Sequence, residues 1–299
     1  MVRRLDGTDV MLLATIVIWA FNITVTRYVL THGFKPLAYA SIRYGGAALI
    51  TASAAVALER SLAIGGRRSA ALVGLASTVL LLNQLSFVYA LKLTTATTVA
   101  LILGATPIFT ALISFAAGLE RPSARLWLGV LVTFGGVALV AVGGGGNLSS
   151  DLGGDLLAVA LAATWAAYSV TIAPLMRRHS PYRISAVVLL AMIVPFTLIS
   201  LGQLGGQDYG GLGWLVWLGL AYAIVGPLAL TNLLWFTAID RVGPSRASLF
   251  ANSQPFLAAI IAALVLSEHI SGLEIAGGVA ILGGIVLERQ RPPVAAPAE

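Results

Sequence analysis

Apolar runs of about 20 residues, long enough to cross a hydrocarbon core roughly 30 Å thick, recur along this chain. They lie at approximately 9–31, 37–58, 69–91, 94–117, 124–142, 153–174, 183–202, 213–237, 243–266 and 272–288. Lipid offers no partner to a bare backbone amide, so each of these ten runs is predicted to be a helix and not a strand. A water-facing alternative fails on composition: 10% of the 299 residues are charged and 58% are apolar, whereas ordinary globular chains carry about 25% charged residues. There are too few polar side chains to coat a globule. The first run is too long for a cleaved signal and lacks its flanking pattern, so it reads as a retained span. The chain has no cysteine, which excludes disulfides, thiolate metal sites and a cysteine nucleophile.

The cations decide orientation. With the N-terminus cytoplasmic, the inside segments hold Arg3, Arg4, Arg60, Arg67, Arg68, Arg121, Arg125, Arg177, Arg178, Arg183, Arg241, Arg246, Arg289 and Arg291, fourteen of the eighteen. The outside loops hold Lys35 and Lys92. That bias predicts both termini on the cytoplasmic side, and one missed span would scramble it. The net charge of +6 is therefore topological, and nucleic acid is not expected as a partner.

Residues 106–120, TPIFTALISFAAGLE, put a proline inside one apolar run and close the run with a glutamate; residues 254–268, QPFLAAIIAALVLSE, do the same. A shift of 148 residues lays Pro107 on Pro255, Ala111 on Ala259, Glu120 on Glu268, Ser123 on Ser271, Gly129 on Gly277, Gly135 on Gly283 and Gly136 on Gly284. Trp19 and Ala20 echo Trp165 and Ala166 at nearly that offset. This is a duplication of five spans. Five is odd, so the second copy is expected to enter the membrane the other way up, as in transporters whose substrate site lies between inverted repeats near the midplane. The predicted fold is an all-α integral membrane protein of ten helices. Its first repeat covers 1–145, a linker 146–152 lies within the low-complexity GGGGNLSSDLGG, the second repeat covers 153–290, and a cytoplasmic tail covers 291–299.

These residues carry a resemblance. The paired segments ATPIFTALISFAAGLERPSARLWLGVLVTFGGVALV and SQPFLAAIIAALVLSEHISGLEIAGGVAILGGIVL, with IWAFNITVTRY and PLAYASIRYGGAAL upstream, resemble the EamA family of the drug/metabolite transporter superfamily over about residues 9–288. Within it the chain is similar overall to the YddG-type exporters of aromatic and other amino acids. The resemblance implies secondary efflux of small metabolites without ATP, in a bacterial inner membrane, with no cofactor. Some relatives import substrate, and others carry nucleotide sugars or sugar phosphates.

Read residue by residue, Pro107 and Pro255 each remove a backbone donor near the middle of spans four and nine and bend the helix there. The bend is either a static kink or a hinge, and recurrence in both halves favours the hinge. Gly226 and Pro227 in span eight form another flexible point, while the counterpart around Thr78 and Val79 has neither residue type. Glu120 and Glu268 close their helices at the interface, where pairing with arginines or capping the following helix is expected ahead of a part in transport. All Asp, Glu and His residues fall at span ends or in loops. Carboxylate-mediated proton coupling is therefore not expected, and export down a gradient or exchange is simpler. The intramembrane cations are Arg27 and Arg43. Arg43, about 10 Å from its outer helix end, either holds a substrate carboxylate by a bidentate pair or locks helices by bonding to carbonyls of a neighbouring span.

The remaining candidates for a substrate cavity are Trp19 and Asn22 in span one, Asn83, Gln84 and Tyr89 in span three, Trp165 and Tyr168 in span six, Asn232 and Trp235 in span eight, and Asn252 and Gln254 in span nine. Aromatic walls suit an apolar or aromatic side chain, and amides can bond amino and carboxylate groups. Each one alone also fits helix glue or interface anchoring. Gly129, Gly135, Gly136, Gly277, Gly283 and Gly284 in spans five and ten read as scaffold for close helix contact, with a monomer or a homodimer both open. No P-loop lysine, HExxH or GxSxG is present, so no enzyme is expected. The expected partners are a small-molecule substrate and the bilayer.

Overall fold

The computed structural model describes residues 7–118, 124–144, 148–242, 251 and 253–289. The first half holds α1 (Gly7–Thr31), α2 (Pro36–Glu59), α3 (Arg67–Leu93), α4 (Ala96–Leu103), α5 (Thr106–Ala116) and α6 (Ala124–Gly143). The second holds α7 (Leu148–Met176), α8 (Pro181–Gly205), α9 (Trp214–Val225), a π-helical turn (Gly226–Leu230), α10 (Thr231–Val242), α11 (Gln254–Leu266) and α12 (Gly272–Arg289). Among the described residues there is no strand. Among the described residues, six helices are long and apolar enough to cross a membrane, or seven when the bent pair α4 and α5 counts as one span. The segments Trp214–Leu230, Gln254–Leu266 and Gly272–Leu287 are shorter apolar helices. Leu264 at 78%, Trp214 at 73% and Leu131 at 71% exposure show that the outer surface is built to meet hydrocarbon and not water.

The inversion can be read from helix ends. At the start of α2 the amides of Lys35 and Leu37 donate to Gln207 Oε1 at 2.7 Å and Gln203 Oε1 at 2.8 Å, both at the C-terminal end of α8. At the other end Glu59, the last residue of α2, accepts from Ser180 Oγ and from Arg183 Nε at 3.0 Å, where α8 begins. The second helices of the two halves therefore run antiparallel. So do the fifth: Gly143 lies against Ser271 and Leu273, Gly136 against Gly277 and Ile281, and Gly284 against Gly129 and Thr133. The cross-pairs follow the same exchange, with α3 packed on α7 as α9 and α10 pack on α1, and α4 and α5 packed on α7 as α11 packs on α1.

Of the scaffold glycines, Gly136, Gly277 and Gly284 sit where an added Cβ would meet backbone of the partner helix, whereas Gly135 and Gly283 face open space. The small residues thus serve contact within the chain, drawing α6 and α12 together.

Residues 148–152, at the junction of the two halves, form the first turns of α7; the Ser-Ser-Asp run there is of the residue types that favour helix starts. Two expectations need correction. Pro107 does not sit inside a continuous helix. The chain breaks at Gly104 and Ala105, whose amides bond three residues back to Leu101 and Ile102 at 3.0 and 2.9 Å, and α4 and α5 are bent by 42°. Pro107 then stands in the first turn of α5, where its missing N–H costs nothing. Pro255 has the same place in α11, and the residues before the two segments, Ala105 (φ −74°, ψ −6°) and Ser253 (φ −81°, ψ −16°), share a conformation. Second, Glu268 caps a helix of the other half and not the one that follows it. Its Oε1 accepts from the Ala96 amide at 2.9 Å, and its Oε2 from the Thr97 amide at 2.8 Å and hydroxyl at 2.7 Å. The helix that follows uses its own capping box, Ser271 with Glu274. Glu120 lies outside the described residues.

Candidate functional site

Arg43 lies two turns into α2 and is 3% exposed. Its guanidinium carbon lies 5.0 Å from the ring centre of Tyr44, 5.3 Å from that of Phe87 and 5.7 Å from that of Tyr39. Its hydrogen bonds are poor: Nη2 reaches Tyr44 Oη and Gln84 Oε1, each at 3.4 Å, beyond the usual 2.7–3.2 Å for an N–H donor. Nε and Nη1 are buried with no partner. Three ring contacts offset part of the desolvation, each worth on the order of 2 kcal/mol at a buried site. They leave the donors unmet, and a buried cation costs several kcal/mol when unpaired. The reading of Arg43 as a helix lock bonded to carbonyls is not the arrangement found. Arg27 has that arrangement instead, with Nη1 donating to the carbonyls of Leu91 at 2.5 Å and Lys92 at 3.1 Å at the end of α3.

The polar cluster continues from Arg43 through two amides. Gln84 Nε2 donates to Asn83 Oδ1 at 2.8 Å, and Asn83 Nδ2 donates to the Leu161 carbonyl at 3.0 Å and to Thr164 Oγ1 at 3.1 Å on α7. A chain of contacts thereby links α2, α3 and the first helix of the second half. One turn beyond Thr164, Tyr168 is half-buried and pairs with Trp165 at 5.7 Å between ring centres, while Trp165 itself is 42% exposed. Asn22 joins the cluster by depth. Thr26, one turn on from it, shares a 3.0 Å hydrogen bond with Tyr39 Oη, and Tyr39 is one turn before Arg43 on the next helix. Asn22 Oδ1 is buried without a partner.

A second group of candidates gathers at the π-helical turn. Pro227 supplies no N–H, and the Thr231 amide bonds to the Gly226 carbonyl, five residues back. The Thr231 amide thus bypasses the Pro227 carbonyl. That carbonyl accepts from Thr231 Oγ1 at 2.7 Å and from Trp19 Nε1 at 3.3 Å, and Trp19 Nε1 also donates to Thr231 Oγ1 at 2.9 Å. Trp235 packs on Trp19 with ring centres 5.2 Å apart. The counterpart helix α3 runs unbroken past Thr78 and Val79. Trp19→Phe keeps the stacking and removes the donor, and should lower stability by about 1 kcal/mol, read as a lower melting midpoint of detergent-solubilised protein.

The other candidates are scattered. Tyr89 Oη accepts from Gln203 Nε2 at 3.1 Å, which ties it to the cap of α2 and not to Arg43. Gln254 opens α11 and is half-buried. Asn252 and the side chain of Asn232 lie outside the described residues. Tyr39, Tyr44 and Phe87 were absent from the predicted set, although Tyr39 and Tyr44 stand four residues before and one after Arg43. The carboxylates near helix ends are more buried than their positions suggest: Glu274 is 1% exposed and accepts from Thr98 Oγ1 at 3.1 Å, and Asp155 is 5% exposed and accepts from Thr94 Oγ1 at 2.9 Å.

Two surface pockets lie elsewhere. One of about 290 Å³ is lined by Arg68, Ser69, Leu72, Pro174, Leu175, Arg177 and Arg178, and one of about 380 Å³ by Tyr28, His32 and the start of α9. Neither reaches Arg43, whose surroundings are closed by packing in this structure.

Inverted halves around a buried polar cluster can now be set beside known proteins. The EamA-like transporter family matches residues 7–142 and 152–288. The chain belongs to that family. "Uncharacterized transporter YyaM" of Bacillus subtilis (strain 168) is 27% identical over 207 residues, covering 68% of this chain and 67% of the relative. An uncharacterized transporter of Archaeoglobus fulgidus is 24% identical over 219 residues, 70% of this chain and 74% of that one. A solved crystal structure matches with a TM-score of 0.65 at 18% identity, over 97% of this chain and 99% of that one, a likeness of fold. This EamA-family chain is thus a multi-pass membrane transporter.

Proposed function

We propose that this EamA-family transporter exports small metabolites, above all amino acids with aromatic or other apolar side chains and also amphipathic drugs, by alternating access through its centre. Both termini face the cytoplasm, the membrane is a bacterial inner membrane, and no cofactor takes part. The observation that carries this reading is the buried polar and aromatic cluster of Arg43, Asn83 and Gln84, which spans α2, α3 and, through Thr164, the opposite half. Inverted repeats are the architecture in which such a cluster can be exposed to one side and then the other. The break before Pro107, the matching helix start at Pro255 and the π-helical turn at Gly226 and Pro227 serve as hinges. A sugar phosphate would demand more cationic groups at the centre than Arg43 alone provides.

Proteoliposomes loaded with protein should take up labelled phenylalanine, tryptophan or leucine saturably, and unlabelled amino acids should compete. Movement of sugar phosphates with no amino acid competing would replace this reading. Flux that never saturates would make the protein a channel.

A further inference from the structure

We infer that the unmet donors of Arg43 receive a carboxylate of the transported molecule, that this carboxylate is obligatory, and that an amine on the same molecule is dispensable. The inference rests on the transporter reading above and narrows its substrate class to small monocarboxylates with an apolar or aromatic body.

The donor inventory leads there. A carboxylate takes a guanidinium by two parallel N–H bonds, along Nε and Nη2 or along Nη1 and Nη2. On either edge one nitrogen of Arg43 has no partner and the other is held only by contacts at 3.4 Å. A carboxylate would therefore displace little and satisfy much. Its single charge matches the single cation, since Arg27 is committed to the Leu91 and Lys92 carbonyls. A phosphate dianion would need a second cation. The rings of Tyr39, Tyr44 and Phe87 around the guanidinium form the wall against which an apolar body would lie.

Among the described residues, nothing comparable awaits an ammonium group. Glu59, Asp155, Asp208, Glu268 and Glu274 are bonded at helix ends and loops. Asp9 lies in the first turn of α1, about 20 Å along that helix from Asn22. Among the described residues, the buried acceptors without a partner on α1 are neutral, Asn22 Oδ1 and Thr24 Oγ1. They can take a donor and do not require a charged one.

Three molecules of one skeleton test this. Phenylalanine carries both groups, 3-phenylpropionate only the carboxylate, and phenethylamine only the amine. In competition against labelled phenylalanine in proteoliposomes, 3-phenylpropionate should compete within about tenfold of phenylalanine, and phenethylamine at least about 100-fold more weakly, because a site built on polar partners rejects the analogue that leaves them unpaired. Arg43→Met should abolish binding and transport while its melting midpoint stays at or above that of the parent, since a buried, poorly paired cation has been removed. Arg43→Lys keeps the charge but loses the fork, and should fall between the two. Phenethylamine competing as well as 3-phenylpropionate, or transport surviving in Arg43→Met, overturns the inference and leaves the transporter reading intact. A melting midpoint that drops in Arg43→Met, with competition blind to the carboxylate, returns Arg43 to a packing role. If no solute of any class moves in the parent protein, the transporter reading fails and takes the inference with it.

Discussion

Gly277→Val should leave no monodisperse protein on size exclusion after extraction in detergent. An added Cβ at Gly277 would stand 2.5 Å from the Gly136 carbonyl oxygen and 2.8 Å from the Val140 amide nitrogen. Both are backbone atoms of α6, so no side-chain rotation relieves the clash and the helices must separate. Overpacking costs about 1–3 kcal/mol even where side chains can give way, and here separation also loses the contacts on either side. Gly283→Val provides the control on the same helix, because nothing lies within 4 Å of its Cβ position. That variant should fold as the parent does. Equal yields of folded protein from the two variants would show that the close approach does not matter.

Glu268→Leu should cost on the order of 2–3 kcal/mol, in the range of hydrogen bonds to a charged group. The carboxylate holds the Ala96 and Thr97 amides and the Thr97 hydroxyl, donors at the start of α4 that have no partner within that helix. It is also the link by which α11 of one half grips α4 of the other. The measurement is the thermal midpoint together with the rate of proteolysis at residues 93–98, which should rise. Glu268→Gln, still able to accept one bond, should lose less. If Glu268→Leu melts with the parent yet transports nothing, the residue serves transport and not the fold.

Much of the architecture was legible because it depends on periodic quantities. Run length marks apolar helices, and the shift of 148 residues that pairs Pro107 with Pro255 reveals the duplication. The inversion was inferred from an odd span number and is visible in Glu59 meeting Arg183 at one end of α2 while Leu37 meets Gln203 at the other. What failed were statements about partners distant in sequence. Glu268 could be recognised as a cap, but its target lies 172 residues away, and no local pattern names it. Pro107 announced a bend, yet the break falls two to three residues earlier, at Gly104 and Ala105, because a proline is well placed as a helix begins and poorly placed within one. At the site, Arg43, Asn83 and Gln84 were identifiable as polar groups in apolar runs. Their aromatic surroundings were not, because Phe87 resembles any lipid-facing residue until α3 is laid on α2.

The α6 and α12 contact has a use outside the fold. The chain contains no cysteine, and Gly135 and Gly283 flank the locked backbone contact on surfaces with open space. Thiols introduced at those two positions would be unique in the molecule and would carry reporters on helices joined too closely to slide. The interface thus gives this protein an internal length standard, against which displacement of any other helix pair can be measured in the same sample.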